Sequence, residues 1–165
     1  MLKSLLILAT FIAASSVVAP AQASVRVESA NLQGPRSLPE ETGRAAIRDY
    51  LQSWQSLSAA FDQNRASLLD PEFVGIARDK LTETIQQQTA LGIRTHYTDS
   101  AHDIQIVFFS PEGLSIELLD TVEYDVQVID RNRVKTTQHV RAKYLIIVTP
   151  AELRWRVRVF QAEPE

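Results

Sequence analysis

Cysteine is absent from all 165 residues of this chain. That excludes disulfides, thiolate catalysis and a lipid-modified N-terminal cysteine. A chain of this length can bury enough apolar surface to hold itself together without such staples. There is no P-loop, no dinucleotide-binding glycine fingerprint, no G-x-S-x-G, no H-E-x-x-H and no internal repeat. The short motifs that carry nucleotide, serine-hydrolase or zinc-peptidase chemistry are therefore missing. Positive charge is in short supply as well: seventeen Lys and Arg stand against twenty Asp and Glu, a formal net charge of −3. An acidic balance argues against a general polyanion binder, so no nucleic-acid partner is expected.

Long apolar runs are scarce, with one exception. Lys3 supplies a short basic start, "LLILATFIAASSVVA" (5–19) is an apolar core, and Ala21 and Ala23 sit where a signal peptidase needs small residues,. The run is shorter than the ~20 apolar residues of a comfortable membrane span. Residues 1–23 are expected to be an export signal cleaved after Ala23, which makes the protein periplasmic or secreted and leaves no span in the mature chain. Residues 24–40, with Gly34, Pro35 and Pro39 and no sustained period, read as an extended lead-in,. Residues 41–165 then form one domain, and losing Lys3 takes the formal net charge of the mature chain to about −4,.

The domain opens in helical rhythm. Ile47, Tyr50, Leu51, Trp54, Leu57 and Phe61 recur at three- and four-residue steps, with polar residues between them,. A second helix is predicted to start at Asp70 as cap, with Pro71 at the first helical position and Glu72 beside the positive end of the dipole. It carries Phe73, Ala77, Leu81 and Ile85 on one stripe and stops at Gly92,. The period then becomes two. Residues 104–109, 114–129, 134–148 and 153–162 read as four strands joined by short turns, an antiparallel meander whose longest members must bend or bulge. The expected architecture is α+β: N-terminal helices packed on one face of a strongly curved antiparallel sheet.

The aromatic helix "AAIRDYLQSWQSLSAAF", the following "LLDPEFVG" and the closing "YLIIVTPAELRWRVRVFQ" resemble the NTF2-like, cystatin-like cone proteins over roughly residues 43–162. The resemblance implies the cone fold. It also implies that the outer sheet face can pair two copies, and that enzymes of similar fold perform proton transfer inside the cone.

Strand alternation assigns the faces. Ile104, Ile106, Phe108, Leu114, Ile116, Leu118, Val122, Val126, Trp155 and Val157 point inward, and with them the polar exceptions Asp120, Tyr124 and Tyr144,. Tyr50 and Trp54 from the helix, Tyr124, Tyr144 and Trp155 from the sheet are the expected pocket. Asp120, Tyr124 and Tyr144 are the candidate catalytic set, because burial raises a carboxyl pKa and a phenol can donate to an oxyanion. No specific catalytic motif of the resembled proteins aligns here, so no catalytic residue is carried over. The outward set Arg141, Lys143, Leu145, Arg154, Arg156, Arg158 and Phe160 mixes charge with apolar residues, and is the expected face of a homodimer.

"HYTDSAHD" (96–103) holds His96, Asp99 and His102 close together, the chain's only metal-like cluster. Its spacing matches no familiar zinc signature, and turn chemistry explains the same residues. No metal or other cofactor is expected. The functional reading is an exported, non-catalytic binding or assembly module for a small ligand or protein partner. The alternatives are a small cone-pocket enzyme acting on an apolar substrate and an accessory domain of an envelope complex.

Overall fold

The structure is a computed structural model describing residues 22–164. The expected export signal therefore lies almost wholly outside the described residues. Five strands form one sheet in the order β1-β2-β3-β4-β5: β1 Ser24–Val27, β2 Ile93–Phe109, β3 Ile116–Asp130, β4 Arg133–Pro150 and β5 Trp155–Ala162. Two helices, α1 Glu40–Gln63 and α2 Gly75–Ala90, lie on one face, with a short 3-10 turn at Ala66–Leu69 between them.

Helix α1 starts after Pro39, which cannot continue a helix backwards, and carries Glu40 and Glu41 in its first turn,. It ends at Asn64, whose φ of 52° is the left-handed turn that stops helices,. Ala46, Tyr50, Trp54, Leu57 and Phe61 are its buried stripe, as the spacing requires. Helix α2 closes at Gly92, where φ of +70° suits a residue without a side chain,. It does not open at Asp70–Pro71. Residues 72–74 instead run beside the free edge of β5, with Val157 N donating to Glu72 O at 2.8 Å and Val74 N donating to Val157 O at 2.9 Å. Edge pairing satisfies those backbone groups, and the helix waits until Gly75.

The sheet departs from expectation in three further ways. The lead-in is extended, but its residues 24–27 are a strand running parallel to β2. The contact continues where Glu28 N meets Ile104 O at 2.8 Å and Gln33 N meets Val107 O at 2.8 Å, so the sheet is mixed. Strand β2 begins at Ile93, turning the supposed connection at 96–103 into sheet. Leu114 lies in the turn before β3 and is exposed, not inward.

Bulges bend the sheet and reset its faces. The register skips Ser100 and Val107 in β2, and Arg158 in β5. Each extra residue shifts the strand's parity by one. Strand β3 is regular from Ile116 to Tyr124, so Ile116, Leu118, Asp120, Val122 and Tyr124 all face the helices. In β5 the bulge puts both Val157 and Phe160 inside, correcting the outward placement of Phe160. Among the described residues no helix is long and apolar enough to cross a membrane.

Candidate functional site

Asp120 sits at the middle of the sheet's inner face with no exposed surface. Its Oδ2 accepts a hydrogen bond from the Tyr50 hydroxyl at 2.7 Å and lies 2.7 Å from His102 Nδ1. Its Oδ1 accepts from the Asp103 backbone N–H at 3.0 Å. His102, also fully enclosed, turns its other ring nitrogen to Asp99 Oδ2 at 3.1 Å. Trp54 Nε1 donates to the Tyr50 oxygen at 2.9 Å. The result is a chain of polar groups running from the partly exposed Asp99 into the core, with both ring nitrogens of the histidine engaged by carboxylates.

The Ser100 bulge builds this chain. Without it Asp99 and His102, three residues apart in a strand, would face opposite sides. With it, Asp99 stands opposite Tyr124 and His102 opposite Val122, both on the inner face. Burial alone would suppress the charge on His102; the hydrogen bonds to Asp120 and Asp99 outweigh it and push the imidazole up to about 9,. The bond to His102 holds the Asp99 carboxyl below its ordinary value, against its partial burial. Desolvation, then the neighbouring Asp120 charge, raises the Tyr50 phenol well above its usual range.

Beside it, on the far side of Trp54, is a half-open cavity of about 190 Å³. Trp54, Leu57 and Phe61 of α1 and Leu81 and Thr84 of α2 form one wall; Tyr97, Tyr124, Tyr144 and Phe160 of the sheet form the other. Trp54 is the hub. Its ring lies 5.4 Å from His102, 5.8 Å from Tyr124 and Tyr144, and 5.5 Å from Phe160. The Tyr124 and Tyr144 hydroxyls are 3.1 Å apart. Burial pushes the Tyr97 phenol up to about 12, and burial with the Tyr124 contact raises the Tyr144 phenol as well, so these two phenols stay un-ionised at neutral pH.

Of the expected pocket, Trp54, Tyr124 and Tyr144 line the cavity, whereas Tyr50 lies sealed beneath it and Trp155 lies outside it. Trp155 is half-buried at the start of β5, its backbone N–H on Asp49 Oδ2 at 2.8 Å. Of the candidate catalytic set, Asp120 is inward but not in contact with the cavity. His96 lies 3.5 Å from Asp62, apart from Asp99 and His102, and among the described residues no three potential ligands converge to hold a metal ion.

The outward arginine set divides. Arg141 and Lys143 sit on the outer face against Glu123 at 3.3 Å and Glu163 at 3.0 Å, with Leu145 beside them. Arg158 is exposed at the bulge. Arg154 and Arg156 are diverted to the segment beside β5: Arg154 pairs with Glu72 at 2.5 Å, and Arg156 donates to the carbonyls of Asp70 and Phe73. These two are therefore corrected from the outer face to the β5 edge.

Phe160 is the functional residue that alternation misplaces, and His102 and Tyr97 are the ones missed because residues 96–103 read as turn chemistry rather than strand. A readable signal does exist. Thr95 and Tyr97 set an odd parity, Ile104 and Ile106 an even one, and a phase change inside one strand requires a bulge between them,. A larger hollow of about 910 Å³ runs along the N-terminal part of α1 against residues 27–39. Its charged rim residues Arg44 and Arg48 are already paired with Glu40 and Asp49, and no buried polar group converges on it.

No protein-family model matches the chain, and no curated protein matches it in sequence. Solved structures do match. The intermembrane-space region of the chloroplast protein ARC6 superposes with a TM-score of 0.64 at 15% identity, over 79% of this chain and 100% of that one. A candidate scytalone dehydratase from Novosphingobium aromaticivorans gives 0.52 at 15% identity, over 76% of this chain and 89% of that one. A protein from Catenulispora acidiphila gives 0.52 at 10% identity, over 75% and 94%. One of these bears the name of an enzyme and one that of an organelle protein's domain, so the likeness speaks for architecture and leaves activity open. Two helices on one face of a mixed five-stranded sheet give this chain an α+β fold, and the overall architecture is shared with those structures.

Proposed function

We propose that the protein is an exported, non-catalytic binding module that holds a small apolar group in the aromatic cavity of its cone. The group is either a free ligand or a side chain offered by a protein partner. One observation carries this reading: the fold's acid–base pair is shut away from the cavity. Asp120 and His102 have side chains with 0% exposure, and every polar atom of the pair is engaged. A general base must come within hydrogen-bond reach of the proton it takes, directly or through one water. Here Trp54 and Tyr50 stand in the way. What faces solvent is a neutral wall of rings, the lining of a site that binds rather than one that reacts.

The export half of the proposal rests on residues 1–23, with their basic start, apolar core and small residues at 21 and 23,. The binding half is tested with fluorobenzene as probe, following the broadening of its ¹⁹F line as protein is added. The native protein should broaden it and Thr84→Trp, which fills the mouth, should not. No broadening by the native protein, or equal broadening by both, removes the cavity as the site.

A further inference from the structure

Six aromatic rings border the cavity: Trp54, Phe61, Tyr97, Tyr124, Tyr144 and Phe160. Leu57, Leu81 and Thr84 complete it, and no charged side chain lines it. At about 190 Å³ it is smaller than the roughly 300–1,000 Å³ of sites that enclose whole drug-sized molecules, and it suits a single compact head group,.

The layer behind the wall is acidic in composition. Two carboxyl groups, Asp99 and Asp120, flank the single imidazole of His102 beneath Trp54, whose ring is 5.4 Å from the His102 ring. His102 and Asp120 are enclosed and Asp99 is partly exposed, so the field of this layer is screened less at its inner end than it would be in water,. An aromatic face carries partial negative charge and attracts cations, most strongly when the cation has few hydrogen bonds to lose on leaving water. A quaternary ammonium has none to donate and needs no acceptor. A primary ammonium brings three donors, and the acceptors on this wall are the hydroxyls of Tyr97, Tyr124, Tyr144 and Thr84, of which Tyr124 and Tyr144 already bond each other,.

Resting on the cavity reading above, we propose that the group held there is a quaternary ammonium of the choline type, caged by these rings and favoured by the Asp99 and Asp120 carboxyl groups behind them. The enclosed polar network thereby gains a role beyond fixing β2 to β3: it biases the neutral cage toward cations. The small, half-enclosed space commits the source to a free solute and not a membrane headgroup.

The test uses Trp155→Phe protein, in which Trp54 is the remaining tryptophan of the mature chain and reports on the cavity by fluorescence. It compares choline with 3,3-dimethyl-1-butanol, the neutral molecule of the same shape. Choline should bind at least tenfold more tightly than the alcohol. Asp99→Asn, made at a partly exposed position, should weaken choline several-fold and leave the alcohol unchanged. If the alcohol binds as well as choline or better, the cation preference is overturned while the apolar-cavity reading stands; if neither binds, the choline assignment fails and the fluorobenzene measurement alone decides the cavity reading. Vesicles of phosphatidylcholine should not capture the protein through the cavity. Capture that excess free choline releases would place a membrane headgroup there and overturn the free-solute assignment.

Discussion

His102 is a histidine whose charge is settled by two carboxylates. Asp120 lies 2.7 Å from one ring nitrogen and Asp99 3.1 Å from the other, and together they push the imidazole up to about 9 from its ordinary 6.5 despite burial. A folded-state pKa above the unfolded one means that protonation favours the fold. That contribution is complete below about pH 6.5 and is lost as the pH rises through about 9,. The shift corresponds to up to about 3 kcal/mol, using 1.36 kcal/mol per pKa unit. Urea unfolding followed from pH 6 to pH 9.5 should show stability falling across that window. His102→Asn, which cannot titrate, should show a much flatter profile over the same range. A native profile as flat as the variant's would mean that the carboxylates do not hold the proton.

Element by element, the strands were more legible than the joints within them. The two-residue rhythm of β3 is unbroken from Ile116 to Tyr124, and it places Asp120 and Tyr124 inside, where they lie. The stripes of α1 and the glycine stop of α2 were readable for the same reason: burial on one face imposes a period. Bulges impose none. A single extra residue at Ser100 or Arg158 has no compositional mark, yet it turns Asp99 and His102 to one side and carries Phe160 from the outer face into the cavity. The four residues of β1 were too few to show a period. The Asp70–Pro71 helix start was overridden by pairing of residues 72–74 with β5, a contact between segments more than 80 positions apart.

The bulge in β5 can itself be tested by deletion. Ile147 pairs with Val159 and Val148 with Val157, leaving Arg158 without a partner position. Deleting Arg158 should straighten the strand while keeping Val157 and Phe160 in place, and the protein should still unfold cooperatively near the native midpoint. Deleting Val157 moves Arg158 opposite Val148, into the apolar core. An unpaired buried guanidinium costs far more than a domain's margin of stability, so that protein should not fold. Equal damage from the two deletions would show that the strand's register is not the one described.

For the whole molecule, the two faces of the sheet now have different tasks. The inner face belongs to the helices and the cavity. On the outer face two ion pairs close within one copy, Glu123 with Arg141 at 3.3 Å and Lys143 with Glu163 at 3.0 Å, while Glu117 stands opposite Ile147. Between them Leu119, Leu145, Ile147 and Val159 are only half-buried and adjoin across three strands. An apolar centre bordered by closed ion pairs is suited to a second copy of itself, since a two-fold axis sets apolar against apolar. We propose a homodimer through this centre, with Arg141, Lys143 and Leu145 at its frame, and without Arg154, Arg156 or Phe160, which are committed elsewhere. The solution mass at tens of micromolar should be that of two mature chains. Leu145→Lys should reduce it to one without loss of fold, because position 145 faces away from the core. The cavity opens on the opposite face, so that monomer should still broaden the fluorobenzene line. A native protein that stays monomeric at these concentrations refutes the pairing, and a Leu145→Lys monomer that no longer binds would show that the two faces are not independent.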